Sequence, residues 1–172
     1  MDKKNSQFQI RKASEEDVPV ILDLVKELSV YERLSHKVYG TEELFKEYGY
    51  GENPYFHALI VDYFENGKKF PVGFALYFFI FSTFEGKPTL YLEDLFVKPE
   101  YRGMGMGKQF LIDLANIALE KGCARMEWAV LDWNEPAINF YKSIGATAMS
   151  DWTVYRLEHV EIKNLALKKT KS

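Results

Sequence analysis

Seven consecutive residues, Arg102-Gly103-Met104-Gly105-Met106-Gly107-Lys108, alternate glycine with larger side chains between two cations. Between a strand and a helix, such a stretch gathers bare backbone N–H groups and the positive end of a helix dipole, which is chemistry for an anion and above all a phosphate. Glycine permits close approach, yet each glycine loses more conformational freedom on folding than other residues, so a plain tight turn does not call for three. The stretch is not a dinucleotide fingerprint, since no third glycine has the required offset. It is not a P-loop either, because Arg102 stands where the first glycine would and Gln109 where Ser or Thr holds magnesium. A simple strand-to-helix turn is the competing reading. Arg102 and Lys108, both able to reach a pyrophosphate, weigh against it.

A second candidate is acidic. Leu90-Tyr91-Leu92-Glu93-Asp94-Leu95-Phe96-Val97 reads as a strand that is apolar or aromatic apart from two carboxylates. An ionised group there is costly unless it faces a wet cleft or a buried Arg or Lys, so Glu93 is either a proton acceptor or half of a structural ion pair. Strand alternation sends Glu93 and Asp94 to opposite faces unless a bulge intervenes. Metal chemistry finds no support, because His36, His57 and His159 lack ligand spacing. No Gly-x-Ser-x-Gly elbow is present, and Cys123 stands alone.

These groups need a scaffold, and the chain can supply one. Its 172 residues, 47% hydrophobic and 16% aromatic, fit a single domain over 1–172 with a sizeable core. The net charge of −3 lacks the basic excess of nucleic-acid binders. No apolar run reaches the ~20 residues of a membrane span, and the first residues lack a signal-peptide core. With one cysteine, the expectation is a cytoplasmic protein with neither nucleic-acid nor membrane partners.

Residue patterning predicts a strand at 8–12, then an N-cap at Ser14 and an amphipathic helix carrying Val18, Ile21, Leu22, Val25 and Leu28. A weaker helix follows from Thr41. Strands at 55–64, 70–81 and 89–97, joined by Glu65-Asn66-Gly67-Lys68 and Glu85-Gly86-Lys87-Pro88, form an antiparallel meander. A helix at 107–121, a strand at 126–131, a helix at 136–144 and a last strand at 152–157 complete the chain, with a frayed basic tail at 168–172. The class is α/β (α+β), and the helical crossover makes the 89 and 126 strands parallel neighbours.

Arg102-x-x-Gly105-x-Gly107 after Leu95-Phe96-Val97 resembles the acetyl-CoA pyrophosphate loop of the GNAT superfamily of N-acetyltransferases, and the element order matches that fold. Tyr91 to Val97, Pro99-Glu100-Tyr101-Arg102-Gly103, and Ala129 to Pro136 with Asn139-Phe140-Tyr141-Lys142 are similar to the diamine (spermidine/spermine) acetyltransferase family. Where the polyamine enzymes carry Asp-Pro-Trp, this chain has Ser82-Thr83-Phe84. That stretch looks more like the thialysine acetyltransferase branch, with Phe in place of its Trp.

The resemblance implies a mixed central sheet, acetyl-CoA as co-substrate without a metal, a small primary amine such as thialysine, a lysine-like amino acid or a diamine as acceptor, and a homodimer. It places acetyl-CoA against Leu95, Phe96, Val97, the loop Arg102, Gly103, Met104, Gly105, Met106, Gly107 and Lys108, and Asn134, Glu135, Pro136 and Ala137. It places the amine at Tyr31, Glu32 and Glu93. An alkylamine with a pKa near ~10.4 costs about 4.6 kcal/mol to deprotonate at pH 7, which suits Glu93 as a water-assisted base. By spacing alone Tyr141 belongs to an apolar stripe with Ile138 and Ile144; by resemblance it is the general acid. Asn134 could cap its helix, touch the cofactor, or do both. Protein lysine or N-terminal acetylation, and a non-catalytic acyl-CoA-binding module, are the other functions compatible with these residues.

Overall fold

A computed structural model describes residues 7–168. The first six residues and most of the lysine-rich tail lie outside the described residues. The chain divides into two compact units, one up to Ala129 and one from Val130.

The first unit is built on a five-stranded sheet. Strand β1 (Phe8–Lys12) leads into a short 3-10 turn and helix α1 (Val18–Tyr31), followed by α2 (Glu42–Tyr50). Ser14 opens this turn, its backbone N–H donating to Asp17 Oδ2 at 2.8 Å. Thr41 caps α2, its hydroxyl accepting from the Leu44 N–H at 3.4 Å. Strands β2 (His57–Glu65), β3 (Lys68–Ser82) and β4 (Lys87–Val97) form the expected antiparallel meander, with an Asn66-Gly67 hairpin turn. Helix α3 (Met106–Glu120) then crosses over to β5 (Arg125–Trp128), which pairs parallel with β4 from Thr89↔Arg125 to Leu92↔Trp128. The spatial order β1-β2-β3-β4-β5 follows the sequence.

Alternation along the strands creates two apolar faces. Ile21, Leu24 and Leu28 of α1 pack on Ala58, Ile60, Phe74, Leu76 and Phe96 on one face. Leu59 and Val61 point the other way, towards the side covered by α3, whose Phe110 and Leu114 are fully buried. Helix, sheet and helix therefore make three layers around β4.

Strand β5 is shorter than the predicted 126–131. Its pairing stops at Leu92, and the next residue of β4 is a bulge: Tyr77 pairs with Leu92 and Leu76 with Asp94, leaving Glu93 as the extra residue. A bulge bends and twists its strand, so β4 leaves β5 at that point. Among the described residues, the second half of β4 then has β3 on one side and no strand on the other.

The second unit contains α4 (Glu135–Ser143) and α5 (His159–Ala166). The strand expected at 152–157 does not form. Trp152, Val154 and Tyr155 are 73%, 90% and 93% exposed, and residues 152–157 are irregular. Alternating apolar residues specify a strand only where a neighbour takes up their backbone hydrogen bonds. Helix α5 was not expected, since its eight residues barely complete two turns of apolar period. Among the described residues, no helix is long and apolar enough to cross a membrane.

Candidate active site

The glycine stretch does lie between a strand and a helix. After β4 the chain makes a 3-10 turn at Pro99–Tyr101, and Gly103 and Gly105 then take φ of +79° and +87°. That left-handed region is strained for L side chains, so these two glycines serve the backbone path. Gly107 is different. It sits in the first turn of α3 without a positive φ, and a Cβ built there meets no protein atom within 4 Å. Neither conformation nor packing within the chain asks for glycine at 107. Met106, Gly107 and Lys108 occupy the first turn of α3, where N–H groups have no intrahelical acceptor. Met106 is buried and anchors the turn, while Met104 and Lys108 are exposed.

Leu95 and Val97 border the open side of β4. The Lys98 N–H donates to the Val72 carbonyl of β3 at 2.9 Å, so alternation turns the backbone groups of Leu95 and Val97 away from β3. The Val97 carbonyl on that side accepts from Arg102 Nε at 2.8 Å. Phe96 is 3% exposed and belongs to the core beneath α1.

The bulge also settles where the two acids go. Glu93 is exposed and Asp94 half-buried. Burial pushes the Asp94 carboxyl up to about 7, helped by the negative charges of Glu93 and Glu32. Glu32, directly after α1, is itself raised by burial. Three carboxylates from two elements thus act on one another, and no cation is among the influences on Asp94. Sequence reasoning passed over Asp94 because strict alternation would have turned it away from Glu93. The signal that could have found it was the pair of adjacent acids in an otherwise apolar strand.

Tyr31, in the last turn of α1, is half-buried and lies under the Arg102 guanidinium, whose central carbon is 4.5 Å from the ring centroid. The structure therefore joins a residue expected at the amine to one expected at the cofactor. The Ser82-Thr83-Phe84 turn holds no acid; Ser82 Oγ accepts from the Glu85 N–H at 3.3 Å, and Phe84 is 94% exposed.

In the second unit, Asn134 Oδ1 accepts from the Ala137 N–H at 3.4 Å, so Asn134 is the cap of α4. Glu135 and Pro136 open that helix, both exposed, and Ala137 is half-buried. Tyr141 is half-buried with its ring 5.6 Å from that of Phe140. Among the described residues, no group of His, Cys, Asp and Glu is arranged to hold a metal ion.

Comparison with known proteins places this arrangement. The model of the acetyltransferase (GNAT) family matches residues 21–146. The chain is 41% identical over 165 residues to the thialysine N-epsilon-acetyltransferase of Mus musculus, covering 92% of this chain and 96% of that one. The thialysine N-epsilon-acetyltransferase of Sus scrofa is 42% identical over 164 residues, covering 91% and 96%. Among solved structures, an integron cassette protein from the mobile metagenome of V. cholerae shares the fold with a TM-score of 0.76 and 28% identity, over 94% of this chain and 99% of that one. With the bulged strand, the glycine loop and the crossover helix all inside the matched segment, the chain belongs to the GNAT family and is an acetyl-CoA-dependent acyltransferase.

Proposed function

We propose that the protein, working as one catalytic domain in the cytoplasm, acetylates the primary amine of a small molecule: thialysine or a lysine-like amino acid in preference to a long polyamine. The observation that carries this reading is the group Glu32, Glu93 and Asp94 at the open end of β4, carboxylates without a cation among the influences on Asp94. Such a group attracts an ammonium ion. The thialysine acetyltransferases of mouse and pig support the choice of amine, as does Ser82-Thr83-Phe84, which offers no acid to a distal polyamine nitrogen.

The loop fits acetyl-CoA: a Cβ at Gly107 would intrude on space empty of protein, where first-turn N–H groups can receive the pyrophosphate. When bound, acetyl-CoA supplies the acetyl group as a reactive thioester. The Leu95 and Val97 N–H groups point to the side where the pantetheine arm and the carbonyl oxygen would lie. Glu93 accepts the amine proton through water, and Asp94, near neutrality, can share it. Tyr141 is assigned the proton for the leaving sulfur, since a phenol with pKa ~10 can protonate a thiolate whose conjugate acid lies near ~8.5.

Thiol release from acetyl-CoA with a panel of amines tests this reading. Thialysine is expected to rank above spermine; a clear preference for spermine, or for a peptide lysine, would reject it. The active form is proposed as a homodimer, because the second unit leaves Trp152, Val154, Tyr155 and Leu167 largely exposed and apolar surface of this kind suits an interface. Light scattering should report about twice the 20.0 kDa chain mass.

A further inference from the structure

Arg102 opens the cofactor loop, and its side chain reaches back to β4 and to α1. Nε donates to the Val97 carbonyl at 2.8 Å, and the guanidinium carbon lies 4.5 Å from the Tyr31 ring centroid and 5.7 Å from that of Phe96. A planar cation held at one edge and stacked on an aromatic face sets the spacing between the two elements that carry its partners. One helical turn earlier, Glu27 Oε1 receives Lys98 Nζ at 2.7 Å. Glu27 and Tyr31 are four residues apart, hence on one face of α1. Two cations that follow β4 thus clasp the same face of the helix whose end carries Glu32.

We propose that Arg102 is a positioning residue for the amine side of the site: it fixes Tyr31, and through it Glu32, against the end of β4, so that the cofactor loop and the amine-binding carboxylates are set by one side chain. This rests on the proposed amine-acetyltransferase reading. Its consequence is a division of labour within the loop. The pyrophosphate is held by the backbone around Gly105 and Gly107, while the Arg102 side chain governs the acceptor.

Kinetics on the full chain separate these roles. Arg102→Lys keeps the charge but loses the Nε donor and the planar stack. It should raise the KM for the amine by roughly 3–10-fold, the range of a cation–π contact, with the acetyl-CoA Kd from calorimetry nearly unchanged. Gly107→Val should do the reverse, weakening acetyl-CoA while the amine KM holds. Tyr31→Leu supplies a second route should Arg102→Lys fold poorly. A double-mutant cycle on thermal stability between Arg102→Lys and Tyr31→Leu, which removes the ring, should show a coupling, while the cycle with Tyr31→Phe, which keeps the ring under the guanidinium, should show almost none. An Arg102→Lys variant that loses acetyl-CoA affinity and keeps its amine KM overturns the proposal, as does a Tyr31→Leu cycle without coupling. The cycle needs no substrate, so a wild type inactive on every amine would defeat the functional reading alone.

Discussion

Two groups of carboxylates lie against the same sheet and meet opposite fates. At β1 and β2, Arg11 grips Asp17 with both terminal nitrogens at 2.7 and 2.8 Å and Asp62 through Nε at 2.7 Å, and Lys69 adds a contact to Asp62 at 3.5 Å. Hydrogen bonding to Arg11 holds the Asp17 carboxyl well below the usual range. At β4, burial and like charge do the contrary, lifting Asp94 to about 7. The first group fastens the start of α1 to the sheet. The second has no cation among the influences on Asp94, and in the proposed function the ammonium of the substrate takes that place. Whether a carboxylate in an apolar strand is structural or functional is decided here by what faces it.

That contrast implies, as its largest effect, different kinetic behaviour. Glu93→Gln and Asp94→Asn should each cut kcat/KM for the amine, by roughly 10²–10⁴ if the group carries the proton. Asp17→Asn should leave the turnover of folded protein near wild type. Steady-state kinetics on stable preparations check this, and comparable losses at both groups would erase the distinction.

Next in size is stability. Arg11→Met removes the closest cation from Asp62, which is 2% exposed and whose Oδ1 has no hydrogen-bond partner. Removing one partner from a buried ion pair costs about 3–5 kcal/mol, and only the longer Lys69 contact at 3.5 Å remains, so urea unfolding should shift strongly. A loss below about 1 kcal/mol would mean that this group is not the fastener it resembles.

The sequence announced some of this and hid the rest. Period-two and period-3.6 patterns placed β1 to β4 and α1 to α4 to within a few residues, and the crossover made β4 and β5 parallel as expected. Periodicity is a local property, and those elements are stabilised by the faces it creates. The glycine loop was readable because Gly103, Gly105 and Gly107 are each an omission of a side chain. What escaped was non-local. Asp94 depends on a bulge set by the β3 register, and the Arg102 stack on Tyr31 joins residues far apart in the chain. The 152–157 segment has strand-like residues, but pairing is a property of two segments and cannot be read from one.

The smallest effect is the sharpest test, because the two groups must push stability in opposite directions with pH. Asp94 rises from the ordinary 3.8 to about 7, so between those values the folded chain keeps a proton that the unfolded chain has released. Its contribution to stability is therefore fully present below about pH 4 and is lost as pH rises through 7. Asp17 is lowered, so the stability it confers is present above the ordinary carboxylate range and disappears as the solution is acidified. Asp94→Asn should accordingly stabilise the protein at pH 8, by a gain on the order of 2 kcal/mol, and flatten the fall in stability between pH 5 and 8. Asp17→Asn should cost stability at neutral pH and converge on wild type in acid. Denaturant unfolding at intervals from pH 3 to 9 separates the two slopes. An added lysine analogue should narrow the gap at Asp94, since a bound ammonium favours the ionised carboxylate and binding then releases a proton near neutrality. If the Asp94→Asn profile simply runs parallel to wild type from pH 5 to 8, Asp94 is not a charge held in reserve, and the contrast between the two groups collapses into one of burial alone.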